Sequence, residues 1–343
     1  MGKSISIKPS QTVKAKTKGR CENALPRSKK VRAIQVPEEN ASSIRHENNR
    51  WQRLKKKCEP YFYILPTSLL MVLLLILPIV MVICYSFFNN VIIEKSPSFV
   101  GFSNYLSILT DSEFANAIWN TLHFVCISVV AHLILGMLFA MLLNSSYLKR
   151  STKTVFRVIY VLPWVFTASV IAILWKLMFD PNGVINYLIQ AVAGPGIGHI
   201  EWLSSTSLAL HAVTFINIWA GYPFYMISIL AGLQGISYDL YEASALDGAN
   251  MPQTFFRITV PQLKPILISL VMLDFVWTIQ QFALIWMTTA GGPINATNTL
   301  STYIYKQAFS KYQYSMASAS SVIVLIVCTL IAIFYVRHQK ASE

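Results

Sequence analysis

Between Tyr61 and Phe88 the sequence carries no charged side chain. Similar apolar stretches recur at about Phe114–Leu143, Val158–Trp175, Thr206–Leu233, Ile266–Ala290 and Tyr314–Val336. A helix needs about 17–25 apolar residues to cross the hydrocarbon core. The pattern therefore predicts an all-α membrane protein with six transmembrane helices and both termini on one side. The first run and its long basic leader exceed the dimensions of a signal peptide, so it is read as an uncleaved span.

Basic residues in short loops give the orientation. Lys149, Arg150, Lys153 and Arg157 lie between the second and third runs, whereas the 176–205 connection has only Lys176, at its very start. Arg337 and Lys340 follow the last run. Both termini, the 144–157 loop and the 234–264 loop are thus expected to be cytoplasmic, in a plasma membrane.

Composition supports a bilayer class. Of the 343 residues 54% are hydrophobic and 13% charged, against about 25% charged in soluble domains. The net charge of +13 would suit nucleic acid were it not concentrated at one end. Residues 1–58 hold the basic cluster and few large apolar side chains. Such a segment buries too little surface to offset its ordering entropy. It reads as a disordered basic cytoplasmic tail, with contact to anionic lipid as the alternative. No nucleic-acid role is expected, and residues 59–343 form the transmembrane domain. Cys21, Cys58, Cys84, Cys126 and Cys328 lack the spacing of a disulfide framework or zinc site.

One segment breaks the apolar pattern: "YEASALDGANMPQTFFRITVPQLKP", residues 241–265. Its start places Leu240, Tyr241, Ala243, Ala245, Leu246 and Ala249 at near-helical spacing, with Asp239 and Glu242 where a helix dipole favours acids. Gly248 can supply a left-handed stop, although Ala249 could continue the helix. Pro261 and Pro265 then lead toward the next span. On these features alone the segment is either a partner-docking helix or an amphipathic connector.

In the fifth run Asp274, Thr278 and Gln281 stand at i, i+4 and i+7, one face of a helix. An ionised acid is costly at bilayer depth, so Asp274 should face the bundle interior. His123, His132 and His211 read as packing or interhelical hydrogen-bonding residues, and Trp164, Trp175, Trp202 and Trp219 as an interfacial belt.

The 242–265 segment closely resembles the EAA loop of binding-protein-dependent ABC importer permeases, in Glu242, Ala243, Asp247, Gly248, Ala249, Phe255 or Phe256, Ile258 and Pro261. Ser244 and Val260 depart slightly from that pattern. "GFSNYLSILTDSEFANAIWNTL", "LPWVFTASVIAILWKLMFDPNGVIN" and "GGPINATNTLSTYIYKQAF" are similar to the sugar-permease branch, in particular the maltose importer's larger permease without its periplasmic insertion. The resemblance covers about residues 60–337 and implies a type I importer (MetI-like) fold. It further implies a second permease forming a heterodimer, two ATPase subunits and an extracytoplasmic binding protein delivering a carbohydrate, with an oligosaccharide expected. Glu242, Ala243, Ser244, Asp247, Gly248 and Ala249 would then form the helix coupling to the ATPase. Asp274, Thr278, Gln281, Gln280, Gly221, Phe224 and Tyr225 would contact the sugar. For Asp274, a structural hydrogen bond or pairing with a cation stays open. No G-x-x-x-x-G-K-[ST] phosphate loop is present, so ATP and Mg belong to the partner ATPase and this chain is not an enzyme. A glycerol phosphate or polyol importer is the alternative within the class. An ion-coupled sugar carrier would need internal repeats and more intramembrane acids.

Overall fold

The computed structural model describes residues 59–340, apart from 90, 94, 146, 147, 195 and 197. The tail expected over residues 1–58 lies outside the described residues. The described residues from Leu70 onward form one compact unit. The described residues are helical throughout, apart from turns, loops and one isolated bridge between Phe88 and Phe99.

In chain order the helices are α1 (Glu59–Tyr85), α2 (Ser103–Leu109), α3 (Ser112–Asn144), α4 (Arg150–Val165), α5 (Ala168–Met178) and α6 (Val184–Ala193). They continue with α7 (Ala209–Gln234), α8 (Tyr238–Leu246), α9 (Met251–Ile279), α10 (Ala283–Thr288), α11 (Leu300–Tyr305) and α12 (Tyr314–Lys340). Among the described residues, helices α1, α3, α7, α9 and α12 are long and apolar enough to cross a membrane, and the bent pair α4 and α5 makes a sixth if it is counted as one span.

Two expected spans differ in the structure. The third is a bent pair, α4 and α5, meeting at 98°. Phe166 and Thr167 are extended at the joint, and Pro163 lies inside α4 rather than at the break. The fifth begins at Met251 instead of Ile266 and ends at Ile279 instead of Ala290. Its early start follows from an Asn250–Gln253 capping box with Pro252 in the first turn, both strong helix starts. A π-helical turn at Phe255–Thr259 precedes Pro261. Pro261 then falls in the first turn after the irregularity, where its missing N–H breaks no regular ladder bond.

The core is built on α3 crossing α7. Gly136 lets the two backbones approach so closely that a Cβ there would lie 2.3 Å from Tyr225 Cβ. Tyr225, Met226, Ile229 and Leu233 of α7 fill the core with Leu143 of α3 and Leu263 and Leu270 of α9. Small residues at such crossings permit van der Waals association, the main force available between helices in lipid.

At the end of the bundle holding α2 and α11, Asp111 caps α3 through Glu113 N (2.9 Å). It also accepts a hydrogen bond from Tyr303 Oη (2.6 Å). Asn120 Nδ2 donates to the carbonyl of Asn298 (3.0 Å), fastening the 290–299 loop to α3. Lys311 and Glu113 pair at 2.7 Å, but both are half exposed, and such pairs contribute little.

The four tryptophans expected in an interfacial belt all join aromatic contacts. Trp175 is buried edge-to-face against Trp219 (5.3 Å), Phe179 links it to Trp202, and Trp164 stacks on Phe224. Cys84 and Cys126 are exposed and Cys328 is half-buried, all three free thiols.

Candidate functional site

A cavity of about 260 Å3 opens at the elbow between α4 and α5. Its walls come from four parts of the bundle. The elbow gives Pro163, Trp164 and Phe166, α3 gives His132, and α7 gives Asn217, Ala220 and Gly221. Asp274, Trp277 and Thr278 come from α9, and Gln281 from the break that follows it.

Four of the seven residues expected at a substrate site line this cavity: Gly221, Asp274, Thr278 and Gln281. Same-face spacing on α9 brings the last three together, even though the helix stops at Ile279 and Gln281 follows its end. The other three are placed elsewhere. Gln280 is the exposed C-cap of α9. Phe224 lies behind the wall, 6.1 Å from Trp164 and 5.4 Å from Trp277 by ring centres. Tyr225 is 0% exposed and donates from its hydroxyl to Asp274 Oδ2 (3.1 Å).

Asp274 is 7% exposed and hydrogen-bonded on both oxygens. His132 Nδ1 lies 2.8 Å from Oδ2, and Thr278 Oγ1 donates to Oδ1 at 2.9 Å. The other ring nitrogen, His132 Nε2, faces the backbone carbonyl of Asn217 at 3.0 Å. His132 thus ties α3 to both α7 and α9, the interhelical role open to it in the sequence.

Gly221 has a specific job here. A Cβ on it would fall 2.4 Å from His132 Nε2, so the glycine makes room for the imidazole. Gly221→Ala is expected to lower stability by about 2 kcal/mol through overpacking, read as a drop in the thermal unfolding midpoint of the purified chain.

Asn217, Trp164 and Trp277 belong to the cavity although sequence reasoning passed over them. Spacing could have found two of them, since Asn217 precedes Gly221 by one turn and Trp277 follows Asp274 by three residues. Asn217 Nδ2 is buried without a hydrogen-bond partner among the described residues, a state that usually asks for a water or a ligand. Trp164 could not have been found, because the elbow that turns it inward has no sequence signal.

The expected coupling helix is α8. Ser237 caps it, accepting from Asp239 N (3.3 Å). Gly248 stands at φ +73° just past its end, the left-handed stop that leaves Ala249 outside the helix. Ser244 is buried and meets Thr254 (3.5 Å), while Tyr241 Oη meets Thr259 (3.2 Å). These contacts pin α8 to the start of α9. Glu242, Ala243, Asp247 and Gly248 are exposed and Ala249 is half-buried. Leu246 is 89% exposed and Met251 78%.

A bundle of long apolar helices with a bent helix pair, a cavity at the bend and a short exposed helix between two candidate spans is the frame on which the comparisons bear. Residues 132–342 match the family of binding-protein-dependent transport system inner membrane components, and the chain belongs to it as an ABC transporter permease. It is similar to the trehalose/maltose transport system permease of Thermococcus litoralis, 32% identical over 85% of this chain and 97% of that one. A diacetylchitobiose uptake permease of Streptomyces coelicolor is 29% identical over 83% of this chain and 87% of its own length. A permease chain of a bacterial transporter for the acidic polysaccharide alginate shares the fold, with TM-score 0.74 at 24% identity, covering 85% and 99% of the two chains.

Proposed function

We propose that this chain is one permease of an importer that moves a carbohydrate, an oligosaccharide by preference, delivered by an extracytoplasmic binding protein. The observation that carries the reading is the cavity at the α4–α5 elbow. It sets the aromatic rings of Trp164 and Trp277 beside the polar side chains of Asn217, Thr278 and Gln281. Ring faces suit the C–H surface of a sugar, and a few convergent polar groups suit its hydroxyls. At about 260 Å3 the cavity falls just below the ~300–1,000 Å3 usual for ligand sites, which fits a pocket completed by a second permease.

The termini and α8 then face the cytoplasm, in keeping with the basic residues of the 144–157 loop. There α8 docks on one of two ATPase subunits, which bind ATP and Mg. Their closure rocks the two permeases around the cavity.

The test is tagged purification of the assembly in mild detergent, followed by ATP hydrolysis with a panel of sugars. Recovery of a second permease and an ATPase is expected, with hydrolysis stimulated by a sugar on its binding protein. Trp277→Ala is expected to lower that stimulation roughly tenfold, as truncation of a central aromatic contact does, with assembly retained. Recovery of this chain alone, or full stimulation in Trp277→Ala, would overturn the reading.

A further inference from the structure

The 290–299 loop holds its backbone where most side chains resist it. Ala290, Ile294 and Asn295 stand at φ +51°, +45° and +61°. Asparagine tolerates that left-handed region, whereas a β-branched residue there is an outlier. Such strain persists only where the surroundings over-determine the conformation. Here the carbonyl of Asn295 accepts from Asn116 Nδ2 (3.0 Å) and Asn120 Nδ2 (3.2 Å) of α3. Its side-chain oxygen accepts from Lys306 Nζ (3.2 Å). Thr297 Oγ1 donates to the carbonyl of Gly292 (2.7 Å), and Leu300 N donates to Thr121 Oγ1 (2.9 Å). Thr297, Asn298 and Thr299 are buried.

All this fastening presents one side chain. Among residues 291–300 only Ile294 is exposed, and it is 90% exposed. A solitary apolar residue on a surface is ordinary, but a β-branched one held out on strained backbone is not. Glycine or asparagine would fit the same backbone with less strain. The loop also stands at the far end of the bundle from α8. Helix α9 carries α8 at its start and leads to the loop beyond its other end. Its 29 residues measure about 43 Å, more than the ~30 Å hydrocarbon core. Ile294 and α8 therefore lie on opposite sides of the membrane. In a family of binding-protein-dependent transport components, the partner on the side away from the ATPases is the binding protein.

We infer that Ile294 is a docking knob, held out by the strained and fastened 290–299 loop for an apolar recess on the extracytoplasmic binding protein. This rests on the binding-protein reading proposed above and adds to it the contact on this chain. Around the knob the loop is polar, with Asn295 and Asn116 beside it in the hydrogen-bond network, so the fitting surface is an aliphatic or aromatic recess with a polar rim. The strain has a use in this setting. A side chain already fixed in its bound position loses little freedom when it docks.

The partner is identified by replacing Ile294 with p-benzoylphenylalanine and irradiating whole cells that carry the complete transporter. The expected adduct joins this chain to the binding protein, recognised by its peptides. An adduct with the second permease, or none with any protein, would overturn the assignment. Ile294→Asn then relaxes the backbone and removes the knob together. The thermal midpoint of the assembly in detergent is expected to rise by about 2–4 °C. The binding-protein concentration that half-saturates ATP hydrolysis is expected to rise at least about tenfold, as loss of one buried aliphatic side chain requires. Ile294→Val, one methylene shorter, should stay within about fourfold. A lowered midpoint in Ile294→Asn would make Ile294 a support of its own loop, and an unchanged half-saturation would leave the knob without a recess. Either result overturns the proposal. If hydrolysis by the unsubstituted transporter ignores the binding protein altogether, the binding-protein reading fails first and the knob with it.

Discussion

Gly136→Ala is expected to prevent α3 from seating on α7 and to leave little folded protein in the membrane. The added Cβ would lie 2.3 Å from Tyr225 Cβ and 3.1 Å from the backbone nitrogen of Met226. Neither atom belongs to a flexible side-chain tip, so relief requires the helices to part. Overpacking of this kind costs on the order of 3 kcal/mol, a large share of what holds a marginally stable fold. The displacement also carries His132, one turn before Gly136, away from Asp274. Gly232→Ala supplies the contrast. Its Cβ would meet only the ends of the Ile266 and Leu263 side chains, at 2.7 and 2.8 Å, which can rotate aside. Thermal unfolding in detergent should rank Gly136→Ala well below Gly232→Ala, and equal midpoints would show that the crossing adapts.

Leu246→Asp is expected to abolish recovery of the ATPase while leaving the permease folded. Leu246 ends α8 and is 89% exposed, with Met251 at 78% nearby in sequence. An isolated membrane subunit has no structural use for such exposure outside its spans. Burying one leucine contributes about 1.5–3 kcal/mol, and a buried unpaired carboxylate adds a penalty. Together they predict a loss of affinity of at least about 100-fold. Because α8 is held to α9 through Ser244 and Tyr241 on its other side, the substitution spares its own fold. Glu242→Lys tests the same surface by charge. An ATPase that still purifies with Leu246→Asp would place the docking surface elsewhere.

Much of this architecture is legible in the sequence, because apolar runs of bilayer length have few alternatives. The face of Asp274, Thr278 and Gln281 was legible for the same reason, since helical spacing is local. The misreadings have local causes as well. Pro261 and Pro265 suggested a connector, but a π-helical turn before the first lets one helix run through. The bend at Phe166–Thr167 contains neither proline nor glycine, so only tertiary packing fixes it. His132 carries no spacing signal toward Asp274, because the two lie 142 positions apart on different helices. Tyr225 adds a contact to Asp274 that its position in the sequence does not signal, 49 residues away on α7.

The elbow also bears on how tight the membrane stays. Where α4 ends and α5 begins, the last carbonyls of one helix and the first amides of the next lack the usual ladder partners. Hydrocarbon cannot solvate such groups, so backbone of this kind is tolerated at bilayer depth only against protein or water. Phe166 is half exposed and lines the cavity, so the elbow has protein on one side and the cavity on the other. On the transport role proposed above, an ion gradient is retained only if this cavity never opens to both compartments at once, so the seal against leakage lies in closing its two ends in turn.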